Sequence, residues 1–220
     1  MNINIAIDGP RAAGKSTIAK RLARLLNYRY LDTGAMYRSV ALKAQTLGID
    51  LDDEKKIMAM LDETIISFDI EGRVFLDDVD VSAAIRENAI SAAASRVSLL
   101  KEVRADMVDR QRKIAEKQPG IIMDGRDIGS VVLPDAELKI YLSALPEVRA
   151  QRRYQELSNK GIDCDYDVIL KEVHERDIQD STRKNSPLIK CVDAVEVDTS
   201  FLTIDEITEI IYNLALQRGA

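Results

Sequence analysis

Two cysteines, Cys164 and Cys191, are too few for a disulfide framework and show no C-x-x-C spacing, so structural zinc and dithiol redox chemistry are excluded. The single histidine, His174, lies in a polar helical stretch, reads as an exposed residue and receives no catalytic role. No apolar run approaches the ~20 residues that span a bilayer, and the start, Met1-Asn2-Ile3-Asn4-Ile5, lacks the basic and apolar regions of a signal peptide. The expectation is a cytoplasmic protein with no membrane partner. A net basic field is also missing: the formal charge is -6. A small phosphorylated ligand is therefore expected rather than a long nucleic acid. Internal repeats and low-complexity linkers are absent as well.

What is present is an ordinary globular composition, with 46% hydrophobic and 31% charged residues over 220 positions. The acid is concentrated. Residues 50–80 hold eleven carboxylates against Lys55, Lys56 and Arg73, while the rest of the chain is rich in arginine, notably Arg149, Arg152, Arg153, Arg176 and Arg183. Guanidinium groups suit bidentate recognition of anions.

The pattern of elements alternates. Ile3 to Ile7 reads as a strand, followed by a turn and a helix marked by Ile18, Ala19, Leu22, Leu25 and Leu26. Tyr30-Leu31 reads as a second strand and Ala35 to Leu47 as a helix stopped at Gly48. Ile65, Phe68, Ile70, Val74, Phe75 and Leu76 surround Glu71-Gly72-Arg73, which predicts a small antiparallel insertion. A helix from Leu100 to Lys117 ends at Gln118-Pro119-Gly120. Ile121 to Met123, Leu138 to Leu142 and Ala194 to Val197 are further strands. Pro146 suits the first turn of a helix that leads to a polar stretch at Ser158-Asn159-Lys160-Gly161, and Thr203-x-x-Glu206 is a capping box. Strands alternating with helices predict a doubly wound α/β fold with a five-stranded parallel sheet.

Gly9-Pro10-Arg11-Ala12-Ala13-Gly14-Lys15-Ser16, followed by Thr17, matches G-x-x-x-x-G-K-[ST] between a predicted strand and helix, which is where the motif's chemistry requires it. Successive N–H groups and a helix N-terminus would cradle phosphates, Lys15 would bridge the β and γ groups, and Ser16 would face Mg²⁺. The chain thus binds a nucleoside triphosphate. A GTPase is disfavoured, because Asn159-Lys160 is followed by Gly161-Ile162 and not by x-Asp. The length also leaves no room for a motor's accessory domains. An alcohol acceptor benefits from a general base, whereas a phosphate monoester is already an anion at neutral pH and needs cationic clamps instead. Arg38, Arg126, Arg176 and Arg183 are candidates for those clamps.

Leu31-Asp32-Thr33-Gly34-Ala35-Met36-Tyr37-Arg38, Asp124-Gly125-Arg126-Asp127-Ile128-Gly129 and Glu175-Arg176-Asp177-Ile178-Gln179-Asp180-Ser181-Thr182-Arg183 complete an ordered set with the P-loop. This set resembles the bacterial cytidylate kinase family over nearly the whole chain. The resemblance implies a P-loop kinase architecture whose acidic segment is a monophosphate-binding insert. It implies core residues 1–49, 100–150 and 181–220, an insert at about 50–99 and a mobile lid at about 151–180, all within a single kinase domain acting as a monomer. It implies the reaction of ATP with CMP, and with dCMP, in the presence of Mg²⁺. By motif, Thr33, Arg38, Arg126 and Arg176 resemble acceptor-phosphate contacts, and Asp180 resembles a sugar contact. Ser95, Arg104, Asp127 and Arg183 resemble the cytosine-reading set. Arg149 and Arg153 resemble flap arginines that close over the transferred phosphoryl beside Lys15. Asp32 either acts as a general base in an alcohol kinase or orients Arg38 and a Mg²⁺-bound water; the second is the expectation. Ala12 stands where the family often has glycine, and Thr33 where serine is frequent. Two other readings compete: a P-loop kinase for a hydroxyl acceptor such as shikimate, and a nucleotide sensor that transfers nothing.

Overall fold

The computed structural model describes residues 2–69, 72–117 and 120–220. Ile70, Glu71, Gln118 and Pro119, which belong to the expected insert turn and helix stop, lie outside the described residues. The chain divides into two compact units, Met1–Tyr28 with Pro119–Ala220, and Arg29–Gln118. No described helix is long and apolar enough to cross a membrane.

The first unit is built on β1 (Ile5–Asp8), β6 (Ile121–Gly125), β7 (Leu138–Ser143) and β8 (Val195–Asp198). With β2 (Arg29–Asp32) these form the expected five-stranded sheet, in the order β2-β6-β1-β7-β8. β1 pairs in parallel with β6 and β7 in the register Ile7↔Asp124 and Ile7↔Ile140. All four of its residues are buried, as a central parallel strand covered on both faces requires, which is why Ile5-Ala6-Ile7 reads as an uninterrupted apolar run. α1 (Lys15–Leu26) turns Ile18, Ala19, Leu22 and Ala23 inward and contacts α8 (Ile204–Gln217). Leu25, expected on that buried stripe, is 56% exposed, because it falls on the outer side of the 3.6-residue turn. α6 (Pro146–Asn159) and α7 (Tyr166–Thr182) enclose Ala150, Leu157, Ile169 and Val173. Burying a side chain of this size contributes about 1.5–3 kcal/mol. The Thr203 capping box forms as expected, with Thr203 Oγ1 accepting from Glu206 N and the Glu206 carboxylate accepting from Thr203 N.

The second unit starts with β2 and α2 (Thr33–Thr46), whose N-cap Asp32 accepts from Ala35 N. α2 packs on α4 (Asn88–Val97), and α3 (Glu54–Asp62) packs on α5 (Lys101–Glu116). The antiparallel insert is present as three strands, β3 (Ile66–Phe68), β4 (Val74–Leu76) and β5 (Val79–Asp80). Val74, Leu76, Val81 and Ile85 pack there around Ala35. The third strand follows a two-residue turn in which Asp77 and Asp78 both take positive φ, 48° and 66°. Aspartate tolerates that left-handed conformation, and the paired positive φ values suit the twist of a hairpin. The acidic segment also opens with a helix that the sequence reading did not anticipate. Asp53 caps α3 by accepting from Lys56 N, and Ile57, Met60 and Leu61 form its buried stripe. The high acid content hides that i, i+3, i+4 spacing.

Candidate active site

In the first unit the P-loop leaves β1 at Asp8 and enters α1 at Lys15. Gly9 has φ 149°, and a Cβ on it would stand 2.1 Å from Leu142 O, so only glycine lets the loop run this close to β7. Gly14 takes φ 93° as it opens α1. Ala12 has φ 62° although it carries a Cβ, which costs about 1–2 kcal/mol for an L-residue. The loop is braced from behind. Thr199, fully buried, donates its hydroxyl to Ala13 O, and Arg152 donates to Thr199 Oγ1 at 3.0 Å.

Lys15 is buried and donates its ammonium to Pro10 O at 2.8 Å. Burial first, then the Arg126 guanidinium, pulls its pKa down to about 7 against the attraction of Asp124, Asp180 and Asp8. The Ser16 hydroxyl donates to Asp124 Oδ2 at 3.0 Å. Asp124 ends the apolar run Ile121-Ile122-Met123. A hydrophobic strand closing on aspartate is thus a signal, readable in the sequence, for a carboxylate beside the P-loop serine. The Ser16–Asp124 pair presents hard oxygen donors beside the phosphate cradle, a chemistry that fits Mg²⁺.

Beyond the loop, Asp180 joins two arginines. Its Oδ2 accepts from Arg126 Nε at 2.7 Å and its Oδ1 from Arg176 Nε at 3.1 Å. The Asp180 side chain is 3% exposed, against 20% for Arg126 and 22% for Arg176, so a buried carboxylate aligns two partly accessible guanidinium groups. Burial opposes the charge on Asp180, but Arg126 and then Arg176 hold its pKa below the usual carboxylate range. Arg11 shows how crowded the cations are. Burial first, then Arg153, Arg176 and Arg126, lowers its pKa to about 10. Like charges gathered in this way are relieved by an anion.

Arg149, expected as a flap cation, is buried and fully engaged here. Its guanidinium donates to both oxygens of Asp177, to Ala144 O and to Arg11 O, which ties α6 to α7 and to the P-loop backbone. Arg153 reaches Glu156 Oε2 at 2.6 Å. Arg183 donates to Ser186 O and lies 3.8 Å from Asp127 Oδ1. His174 is exposed, as anticipated, and both cysteines are free thiols.

The second unit carries the other motif residues. Both oxygens of Asp32 are engaged, Oδ1 by Ala35 N and Oδ2 by Arg38 Nη2 at 2.7 Å, a geometry that caps α2 and orients Arg38. A Cβ on Gly34 would stand 3.1 Å from both Arg38 Nη1 and Asp32 Oδ1, so glycine leaves the room this pair occupies. Thr33 is buried in the first turn of α2. Ser95 is buried in α4. Arg104, 4% exposed, donates Nη1 to Ser98 O at 3.1 Å and lies over the Tyr37 ring, 5.5 Å from its centroid. Sequence reasoning named Arg104 but not its two supports, Ser98 and Tyr37. Tyr37 is disclosed by the packing of α2 and α5, and Ser98 by the turn between α4 and α5.

The cytidylate kinase family model matches residues 5–217. A cytidylate kinase from Caldanaerobacter subterraneus subsp. tengcongensis is 51% identical over 96% of this chain and 94% of its own length. One from Bacillus pumilus is 47% identical over 97% and 96% respectively. A solved structure of an uncharacterized protein from Eubacterium ventriosum shares the fold, with a TM-score of 0.56 at 15% identity over 97% of this chain and 98% of that one. With a phosphate cradle, a shared buried carboxylate between two arginines and nearly full-length similarity at about half identity, the chain belongs to the cytidylate kinase family.

Proposed function

We propose that this protein transfers the γ-phosphoryl of ATP to CMP, and to dCMP, giving ADP and CDP or dCDP by direct in-line displacement. The observation that carries the acceptor assignment is the Arg126–Asp180–Arg176 bridge in the P-loop unit. Two phosphate groups repel each other as they approach, and cations preset by a buried carboxylate offset that repulsion without reorganising during reaction. The acceptor phosphate is its own nucleophile, so the mechanism requires no general base.

Lys15 follows charge on the transferred group, joined by Arg126, Arg176 and Arg153. Arg149 holds α6, α7 and the loop in register. Gly9 to Thr17 form the donor cradle. Mg²⁺ would be held by Ser16 and Asp124 and would neutralise charge on the phosphate oxygens; Asp32 instead orients Arg38. Arg38 and Thr33 take the acceptor phosphate and Asp180 the sugar. Cytosine offers an amine donor beside two acceptors, which Ser95 and Asp127, with Arg104 and Arg183, complement. Residues 151–180 act as a lid, the protein is a monomer, and it works in the cytoplasm.

The test is ADP release with CMP, dCMP, UMP, AMP and shikimate each offered as acceptor. Preferred transfer to CMP is expected. Preferred transfer to shikimate would favour a hydroxyl-acceptor kinase, and ATP binding without transfer to any acceptor would favour a sensor.

A further inference from the structure

Asp8 is a buried, charged residue to which the reaction gives no direct task. It is 5% exposed and ends β1 immediately before the P-loop. Its Oδ1 accepts from Ile128 N at 2.8 Å and its Oδ2 from Gly129 N at 2.7 Å, so both oxygens are committed to the same turn. Its backbone lies opposite Gly125 in the β1–β6 register. One residue thus meets both ends of the short loop 125–129, beside Gly125 in the sheet at one end and through its carboxylate at the other. Arg126 and Asp127 are the residues between those ends. Arg126 reaches Asp180, Asp127 faces Arg183, and the Asp127 carbonyl accepts from Val131 N and Val132 N in the wide turn that follows. The fit around the grip is close. A Cβ on Gly129 would stand 3.1 Å from Lys139 Cδ and 3.4 Å from Asp8 Oδ2.

We propose that Asp8 is a positioning residue for the acceptor. Through the amides of Ile128 and Gly129 it fixes where Arg126 and Asp127 stand, and so sets affinity and base preference for the monophosphate rather than for ATP. The inference rests on the CMP kinase reading above. A carboxylate is required because two N–H groups demand two acceptor oxygens; an asparagine of the same shape offers one oxygen and turns its NH₂ toward the other amide. Burial works against the charged form, raising the Asp8 pKa to about 6 against the Gly129 and Ile128 amides that oppose the shift. The group is therefore maintained in spite of its desolvation.

The test is Asp8→Asn, with KM for CMP and for ATP measured separately at saturating partner, the CMP-to-UMP preference, and amide exchange at Ile128 and Gly129. KM for CMP should rise about tenfold or more, the scale of one lost charge-assisted hydrogen bond. KM for ATP should stay within about twofold, the CMP preference should narrow, and the two amides should exchange faster. A folded variant with unchanged KM for CMP overturns the proposal, and so does a parallel rise in both KM values, which marks a merely structural role. Should Asp8→Asn not fold, Asp8→Glu keeps two acceptor oxygens but carries them one methylene further from the strand and is expected to show the same split; a folded Asp8→Glu with unchanged KM for CMP overturns it equally. Assay of the unmutated protein against each acceptor separates this from failure of the wider reading. If another monophosphate is preferred, CMP is the wrong substrate and the Asp8 split is scored on that monophosphate instead.

Discussion

The P-loop unit and the Arg29–Gln118 unit are built differently around their motif residues. The first relies on backbone amides shaped by Gly9 and Gly14 and on buried charge networks centred on Asp180 and Asp8. In the second, Arg38 is held by its cap residue and Arg104 by a carbonyl and a ring. The difference teaches where tolerance to mutation should lie. A backbone cradle recognises phosphate whatever it is attached to, while the proposed reading of base and monophosphate rests on side chains of both units, Arg38, Ser95 and Arg104 in one and Arg126, Asp127 and Arg183 in the other.

The sharpest break in that contrast is Lys15→Met. Turnover should fall at least ~10²-fold, as expected when charge developing in the transition state loses its partner. The fold should behave in the opposite sense. The Lys15 pKa is lowered to about 7 in the folded protein, from an ordinary 10.5. Between those values the unfolded chain binds more protons, so stability of the unmutated protein rises with pH across that window and the lysine's penalty is largest below it. Thermal melts from pH 6 to 10 should show a higher midpoint for the variant at pH 6 and a flatter rise. Calorimetry at pH 8 should show proton uptake as ATP binds the unmutated protein, because phosphates restore the charge on the ammonium.

Asp180→Asn comes next. Two guanidinium groups lose their shared buried carboxylate, and breaking such a pair costs about 3–5 kcal/mol. Part of that loss should be recovered by adding phosphate or sulfate, which supplies the missing negative charge. An unfolding midpoint equal to that of the unmutated protein would show that the bridge contributes nothing.

In the other unit, Arg104→Ala should raise KM for CMP by about tenfold and narrow the preference over UMP, the range of one unpaired buried group, with KM for ATP unchanged. An equal effect on both substrates would count against the reading of cytosine by Arg104. The smallest change is Ala12→Gly. Relief of the left-handed strain at φ 62° is offset by the greater freedom of glycine in the unfolded chain, so stability should shift by less than about 1 kcal/mol. Denaturant titration resolves it, and a larger loss would mean that the alanine methyl contributes packing.

The legibility of the two units follows the same division. The P-loop could be read because phosphate binding by backbone requires glycines at fixed spacing between a strand and a helix. Asp124 was equally readable as the end of an apolar strand, yet its partnership with Ser16 needs the parallel register of β1 and β6. Arg149 and Arg126 look alike in the sequence. Their surroundings set them apart, since one is locked into Asp177 and two carbonyls and the other is aligned by Asp180 with part of its surface open. α3 was missed because eleven carboxylates between residues 50 and 80 mask three buried side chains.

By itself the sequence determined the alternation of strands and helices, the triphosphate cradle, the insert and the family, because each rests on local spacing or on residues in a set order. The tertiary structure alone decided that Asp177 holds Arg149 while Asp180 holds Arg126, that Tyr37 lies under Arg104, and that Asp8 holds the loop carrying Arg126 and Asp127. Those contacts join residues far apart in the chain. A side chain's role there depends on burial and on the partner it meets, and neither is encoded within any local window.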